Sequence, residues 1–294
     1  LDLVDEAAAI ARGATAAEVL ARAHAGGIAY AFQVGPGRPR LVRIERALEF
    51  SRRYGHGASW FAAYRALHRF ASGDWPVPGG FGAASDVEGD THVAWVTLLD
   101  ALVSCAREGP GPDVLSRIGA LAGRAVARDE PQWGIPWLSY ASLAQAWAGR
   151  TDAARDSVAL MLEVAAKTEH QARSLTRLSR GVTASSIALL LARDRDQLER
   201  MGAALADVDG HAGERLLLAS FVAWLDGAAV DVPLRAASNA LAERGLQLST
   251  ALSVCALAAV RPGAALPDDV RTAAVTTLQK AEATWLVSAL AKGD

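Results

Sequence analysis

Six of the eight tryptophans fall in the first half of the chain: Trp60, Trp75, Trp95, Trp133, Trp137 and Trp147. An indole ring offers a flat apolar face and one N–H donor, which suits a groove that holds an apolar or planar body. Helical spacing puts Trp60 with Tyr64 on one face, and Trp137 with Tyr140 on another. The candidate ligand-binding set is therefore Trp60, Tyr64, Trp95, Trp133, Trp137, Tyr140 and Trp147. The competing account is packing, in which the same rings fill gaps between alanine-rich helices.

Other chemistry-bearing residues give weaker patterns. Asp86, Glu88, Asp90 and His92 alternate, but their spacing fits neither a calcium loop nor a zinc motif, so a solvated acidic loop is the favoured reading. The six histidines (His24, His56, His68, His92, His170 and His211) are scattered, with no H-x-x-x-H or H-E-x-x-H pair. They read as surface or satisfied interior groups. Arg38, Arg40, Arg43, Arg46, Arg52 and Arg53 form a basic run interrupted by Glu45 and Glu49, a pattern that suits a solvated helix face with local ion pairs. Asp268 and Asp269 follow Pro267 and suit a helix start, where negative charge meets the dipole. No nucleophile elbow or catalytic spacing is present. The expectation is a non-enzyme with no cofactor and no metal.

The elements that must position these residues are helices. From 134 to 165, GIPWLSYASLAQAWAGRTDAARDSVALMLEVA, apolar residues recur at three- and four-residue intervals on both sides of a short break. Trp137, Tyr140, Ala141, Ala144 and Ala148 stripe the first helix, where Pro136 suits the first turn. Ala154, Val158, Met161, Leu162 and Ala165 stripe the second. Gly149 ends the first helix and Thr151 or Asp152 caps the second. So short a connection predicts an antiparallel hairpin.

The rest of the chain repeats this theme irregularly. Helices are predicted from Thr15, which opens a capping box with Glu18, and over 41–54, with Leu41, Ile44, Leu48 and Arg52 on one side. Others follow over 58–71, 91–106, 114–130, 182–192, 197–206, 214–225, 231–243, 246–260 and 267–290. Shorter helical stretches are read at 1–12 and 171–178. Residues 74–90, with two prolines and four glycines, lack any helical period. The expected fold is all-α: a right-handed α-solenoid of antiparallel, TPR-like helical hairpins, about 12–14 helices in one array over 1–294.

Composition narrows the function classes. At 294 residues and 51% hydrophobic there is ample core material, and a net charge of −2 gives no global field for nucleic acid or an anionic membrane. Only Lys167, Lys280 and Lys292 are lysine among the 30 basic residues, a bias that suits a GC-rich bacterial genome. The longest apolar run, 251–260, is too short to span a bilayer. Cys105 and Cys255 sit in apolar helical runs and read as buried thiols of a reducing cytoplasm. A chain that starts at Leu1 without a basic-then-apolar leader reads as a segment of a longer cytoplasmic protein.

The alternation of helix pairs resembles a tetratricopeptide array, whose consensus places a Gly at the end of the first helix and an Ala five positions later; Gly149 and Ala154 stand so. More particularly, RIERALEFSRRYGHGASWFAAYRALHRFASGDW resembles the helical sensor region of large bacterial transcriptional regulators, the LuxR-type ATPase and antibiotic-regulator classes. The likeness covers about residues 1–165. It implies a domain that senses a small molecule or a protein segment and controls an attached ATPase or DNA-binding module. This sequence contains no G-x-x-x-x-G-K-[ST] loop and no recognisable DNA-reading helix pair, so no direct nucleic-acid binding is expected of it. A ligand would tighten the array, with 74–90 as a lid. A protein-interaction scaffold, self-association, and a helical enzyme assembled only in three dimensions around Asp86, Asp90 and His92 are the alternatives.

Overall fold

The computed structural model describes residues 14–34, 37–77, 80–81, 91–127, 131–167, 181–206 and 211–291, with side chains omitted at 14–16, 29–34, 37–39, 91–93, 124–127, 131–133, 167 and 291. Among the described residues the chain is all-helical, with fourteen helices and no strand. In order they are α1 (Ala14–Val34), α2 (Gly37–Tyr54), α3 (Ala58–Ser72), α4 (Thr91–Glu108), α5 (Pro112–Ala127), α6 (Pro131–Trp147) and α7 (Thr151–Lys167). Then come α8 (Val182–Leu191), α9 (Arg195–Ala204), α10 (Ala212–Leu225), α11 (Asp231–Glu243), α12 (Gln247–Val260), α13 (Asp268–Lys280) and α14 (Thr284–Ala291). The stretches expected to be helical at 1–12 and 171–178 lie outside the described residues, as do 82–90.

The predicted hairpin is α6 and α7, which share the most extensive helix–helix contact in the molecule. Gly149 adopts φ 72°, its N–H bonds to the Ala146 carbonyl, and the Arg150 N–H reaches back to Gln145 O at 2.9 Å. This pairing satisfies the last carbonyls of α6 in a Schellman turn, which needs a left-handed residue at its centre. The same device ends α3 at Gly73 (φ 71°), through Gly73 N to Phe70 O and Asp74 N to Arg69 O. Small residues are buried on both helices: Ala141 and Ala144 on α6, Ala154 on α7.

One local expectation is corrected. Pro136, expected in the first turn, lies inside α6. There it lacks an N–H for the carbonyl four residues back, an arrangement that costs about 3 kcal/mol in a helix interior and must be offset by packing. The expected capping box at Thr15 lies where side chains are not described; within α1, Glu18 pairs with Arg22 at 2.8 Å.

Among the described residues, consecutive helices pack against one another, as a helical repeat requires. Further contacts join distant parts. Helix α12 packs on α3 and α8, and α14 packs on α4. Thr284 Oγ1 donates to Arg107 O at 2.6 Å across 177 residues, and Arg107 pairs with Glu282 at 3.3 Å. Trp147 meets Trp285 edge-on at 6.1 Å. These contacts join helices of the first half to the last helices described.

Candidate functional site

Three of the seven predicted aromatic residues, Trp95, Trp137 and Tyr140, converge inside the protein. Trp95 and Trp137 are each 3% exposed and stack at 6.4 Å. Tyr140 meets Trp95 edge-on at 5.7 Å and Phe70 at 5.6 Å. Phe70 in turn stacks on Trp75 at 5.6 Å, and the Trp75 indole donates to Phe70 O at 3.0 Å. These separations suit offset and edge-to-face aromatic contact, worth about 0.5–1.5 kcal/mol per pair beyond burial. Trp60 and Tyr64 are half-buried on α3 and pack against the core. Trp147 is half-buried against Trp285, away from this chain of rings. The Trp133 side chain lies outside the described residues.

Where the aromatic chain ends at Phe70 and Tyr140, a cavity of about 80 Å³ opens. Its walls come from α3 (Leu67, Phe70, Ala71), α6 (Tyr140, Leu143), α8 (Thr183, Ala184, Ile187) and α12 (Leu248, Ser249, Leu252). Glu214 of α10, Arg244 and Leu246 complete it. The position of α8 depends on one small residue: a Cβ on Gly181 would stand 2.6 Å from the Ser139 Cβ of α6. Ser139 itself is held by Ile135 O at 2.8 Å and Met161 Sδ at 2.9 Å.

The polar end of the cavity is a buried charge cluster. Arg244 Nη1 lies 2.6 Å from both Glu214 oxygens, with the side chains 12% and 3% exposed. His211 Nδ1 stands 3.4 Å from Glu214 Oε1. Arg40, fully buried, donates through Nη2 to the Arg244 carbonyl. Helix geometry favours this placement: Glu214 occupies the first turn of α10, and Arg40 meets the carbonyl end of α11. Burial would raise the Glu214 carboxyl, but His211 and Arg244 together hold it below its ordinary value. Burial, then Arg244, lowers Arg40 to about 10. His68 is lowered to about 4 by burial and by Arg40, with Asp74 opposing.

The sequence reading placed Arg40 in a solvated basic run; the structure corrects this, since α2 buries Arg40, Ile44, Ala47 and Ser51 while Leu41 and Arg52 face solvent. Arg40, His68, His211, Glu214 and Arg244 are the site residues that spacing did not single out. One usable signal is the N-terminal position of Glu214, three residues after His211. Asp269 pairs with Arg235 at 3.0 Å at the start of α13. Both cysteines are free and buried, with burial pushing Cys105 to about 11 and Cys255 to about 12.

Among the described residues no group of His, Cys, Asp and Glu is disposed to hold a metal ion, and no helix is long and apolar enough to cross a membrane. Asp86, Glu88 and Asp90 lie outside the described residues, as does the His92 side chain. At the near end of 74–90, Trp75 and Phe81 are buried, and Asp100 accepts from the Phe81 N–H. Comparison with protein-family models, curated proteins and solved structures finds no match.

Proposed function

We propose that this chain is a TPR-like, ligand-sensing helical domain of a bacterial transcriptional regulator, and that its ligand seats in the Tyr140 cavity. One observation carries the reading: the cavity wall combines α3 and α6 from the first half with α8, α10 and α12 from the second. An occupant would touch both halves at once and stabilise the arrangement that brings them together. At about 80 Å³ the space is well below that of a drug-sized pocket, so it receives a small molecule or one end of a larger one. Trp95 and Trp75 are each one ring removed from the cavity, so occupancy should alter tryptophan emission.

The test is a panel of small metabolites scored by tryptophan emission and melting temperature, with wild type beside Ala71→Leu. Ala71 is half-exposed and lines the cavity, so the larger side chain narrows it with little disturbance elsewhere. Ligands that shift wild type and not the variant support the assignment; identical responses from both would sink it. A protein-interaction scaffold is the second reading, favoured by exposed Val19, Leu41, Val42 and Tyr54 on α1 and α2. A Val42→Glu variant that loses binding of a partner segment while keeping metabolite responses would favour it.

A further inference from the structure

We propose that the Tyr140 cavity selects a neutral ligand, a short branched aliphatic alcohol, over ammonium and carboxylate molecules of the same shape. This rests on the reading of the cavity as a ligand site and adds the chemical class of its occupant. A space of about 80 Å³ is roughly half of an engineered cavity of about 150 Å³ that accepts benzene, so a short branched chain suits it better than a ring. Leu67, Leu143, Ile187 and Leu252, from four different helices, supply an apolar bed for the methyl groups. Two hydroxyls lie on the same wall, Thr183 of α8 and Ser249 of α12, both half-buried. Serines deeper in these helices return their protons to the carbonyl four residues back: Ser186 Oγ to Val182 O at 2.6 Å, and Ser253 Oγ to Ser249 O at 2.7 Å. Thr183 and Ser249 stand in the first turn, where no carbonyl of their own helix lies four residues back. Their hydroxyls are thereby available to a ligand hydroxyl, which itself both donates and accepts.

The neutrality of the ligand follows from how the wall charges are used. Among the described residues the charged groups on the wall are Glu214 and Arg244, and they are bound to each other. Arg244 Nη1 lies 2.6 Å from both Glu214 oxygens. Arg40 bonds the Arg244 main-chain carbonyl and is not part of the wall. Against burial, His211 and Arg244 keep the Glu214 carboxyl below its ordinary value, so the pair stays ionised at neutral pH. Opposite charges this close present little net field to an incoming ion, which still gives up its hydration. An ammonium competing for Glu214 meets the guanidinium that already holds both oxygens. A carboxylate competing for Arg244 is set beside the Glu214 carboxylate. Separating the pair to admit either ion breaks a buried contact, at a greater cost than one new contact returns. A neutral alcohol leaves the pair closed.

The experiment titrates the protein with isobutanol, isobutylamine and isobutyrate at neutral pH and constant ionic strength, read by tryptophan emission and melting temperature. Xenon, read by its own NMR shift, serves as a purely apolar probe of the same space. Isobutanol is expected to bind at least about tenfold tighter than either ion, a modest share of the cost of burying a charge without a partner. Thr183→Val with Ser249→Ala removes both hydroxyls at little change of shape and should weaken isobutanol about tenfold. Xenon uptake, which needs only the apolar space, should stay as in wild type, and circular dichroism should report the helical fold intact. Ala71→Leu should diminish both ligands by filling the space. If either ion binds as well as the alcohol, the selectivity is overturned while the cavity stands as a ligand site. Isobutanol binding unchanged in either variant would overturn the proposal. If xenon enters and isobutanol does not, the proposal fails and an apolar void remains; if neither enters, the reading of the cavity as a ligand site fails with it.

Discussion

Replacing Arg244 with methionine removes one half of a deeply buried ion pair. Arg244 Nη1 sits 2.6 Å from both oxygens of Glu214, a carboxylate only 3% exposed. Breaking such a pair on one side leaves a charge that water cannot reach, at a cost of about 3–5 kcal/mol. His211 remains 3.4 Å from Glu214 and offsets part of this, which places the expected loss near the lower end, about 3 kcal/mol. The hydrogen bond from Arg40 goes to the main-chain carbonyl of residue 244 and survives the change. For a domain of this size the melting temperature should fall by roughly 6–12 °C. Urea and thermal unfolding followed by circular dichroism would measure it. The companion variant, Arg244→Met with Glu214→Leu, replaces both partners with apolar groups of similar bulk and should lie within about 1 kcal/mol of wild type. The reasoning is refuted if the single change costs less than about 1 kcal/mol, or if the double is as unstable as the two singles added.

Three further outcomes are expected. Stability should fall on acidification in two stages: His68, held at about 4 when folded, takes up its proton near 6.5 when unfolded, so stability declines between those values. Glu214 has a lowered folded value, so its contribution is complete above the ordinary glutamate range and disappears as pH falls through the folded value. His68→Gln should flatten only the upper stage; a profile unchanged between pH 6.5 and 4.5 would argue against this account. Gly181→Ala should cost about 1–3 kcal/mol by forcing α8 away from Ser139, with Ser139→Gly in the same chain restoring most of the loss in urea unfolding. A thiol raised to about 11, as in Cys105, is roughly one part in a thousand thiolate at pH 8. A disulfide reagent should therefore modify Cys105 and Cys255 at the rate of unfolding, and rapid labelling of the native protein would contradict their burial.

Where helices begin and end was legible because punctuation is local. Asp231 and Pro233 near the start, and Gly245 beyond the end, delimit α11 at Asp231–Glu243, and Gly149 closes α6 as expected. The stripe of α4 was equally readable, since Trp95, Leu98, Leu102 and Cys105 are all buried. Helix α2 was misread for a physical reason. A buried arginine looks polar to any periodicity argument, so Arg40 displaced the apparent apolar face by one residue toward Leu41. The charge cluster was illegible on the same grounds. Glu214 and Arg244 are 30 residues apart, Arg40 and Arg244 are 204 apart, and no local spacing encodes their meeting. Tyr140 entered the candidate set through its helical face with Trp137, yet Trp137 turns into the core while Tyr140 reaches the cavity.

The contact between α4 and α14 also has a consequence for synthesis. Arg107 leaves the ribosome 177 residues before Thr284, whose hydroxyl it receives. At roughly 5–20 residues per second this interval lasts on the order of ten to thirty-five seconds. Throughout it, α4 is made but the helix that covers it is not. The surface destined for α12 on α3 waits almost as long. A half-made chain therefore presents apolar helix faces of the kind that holdase chaperones recognise, and only the emergence of the last helices withdraws them.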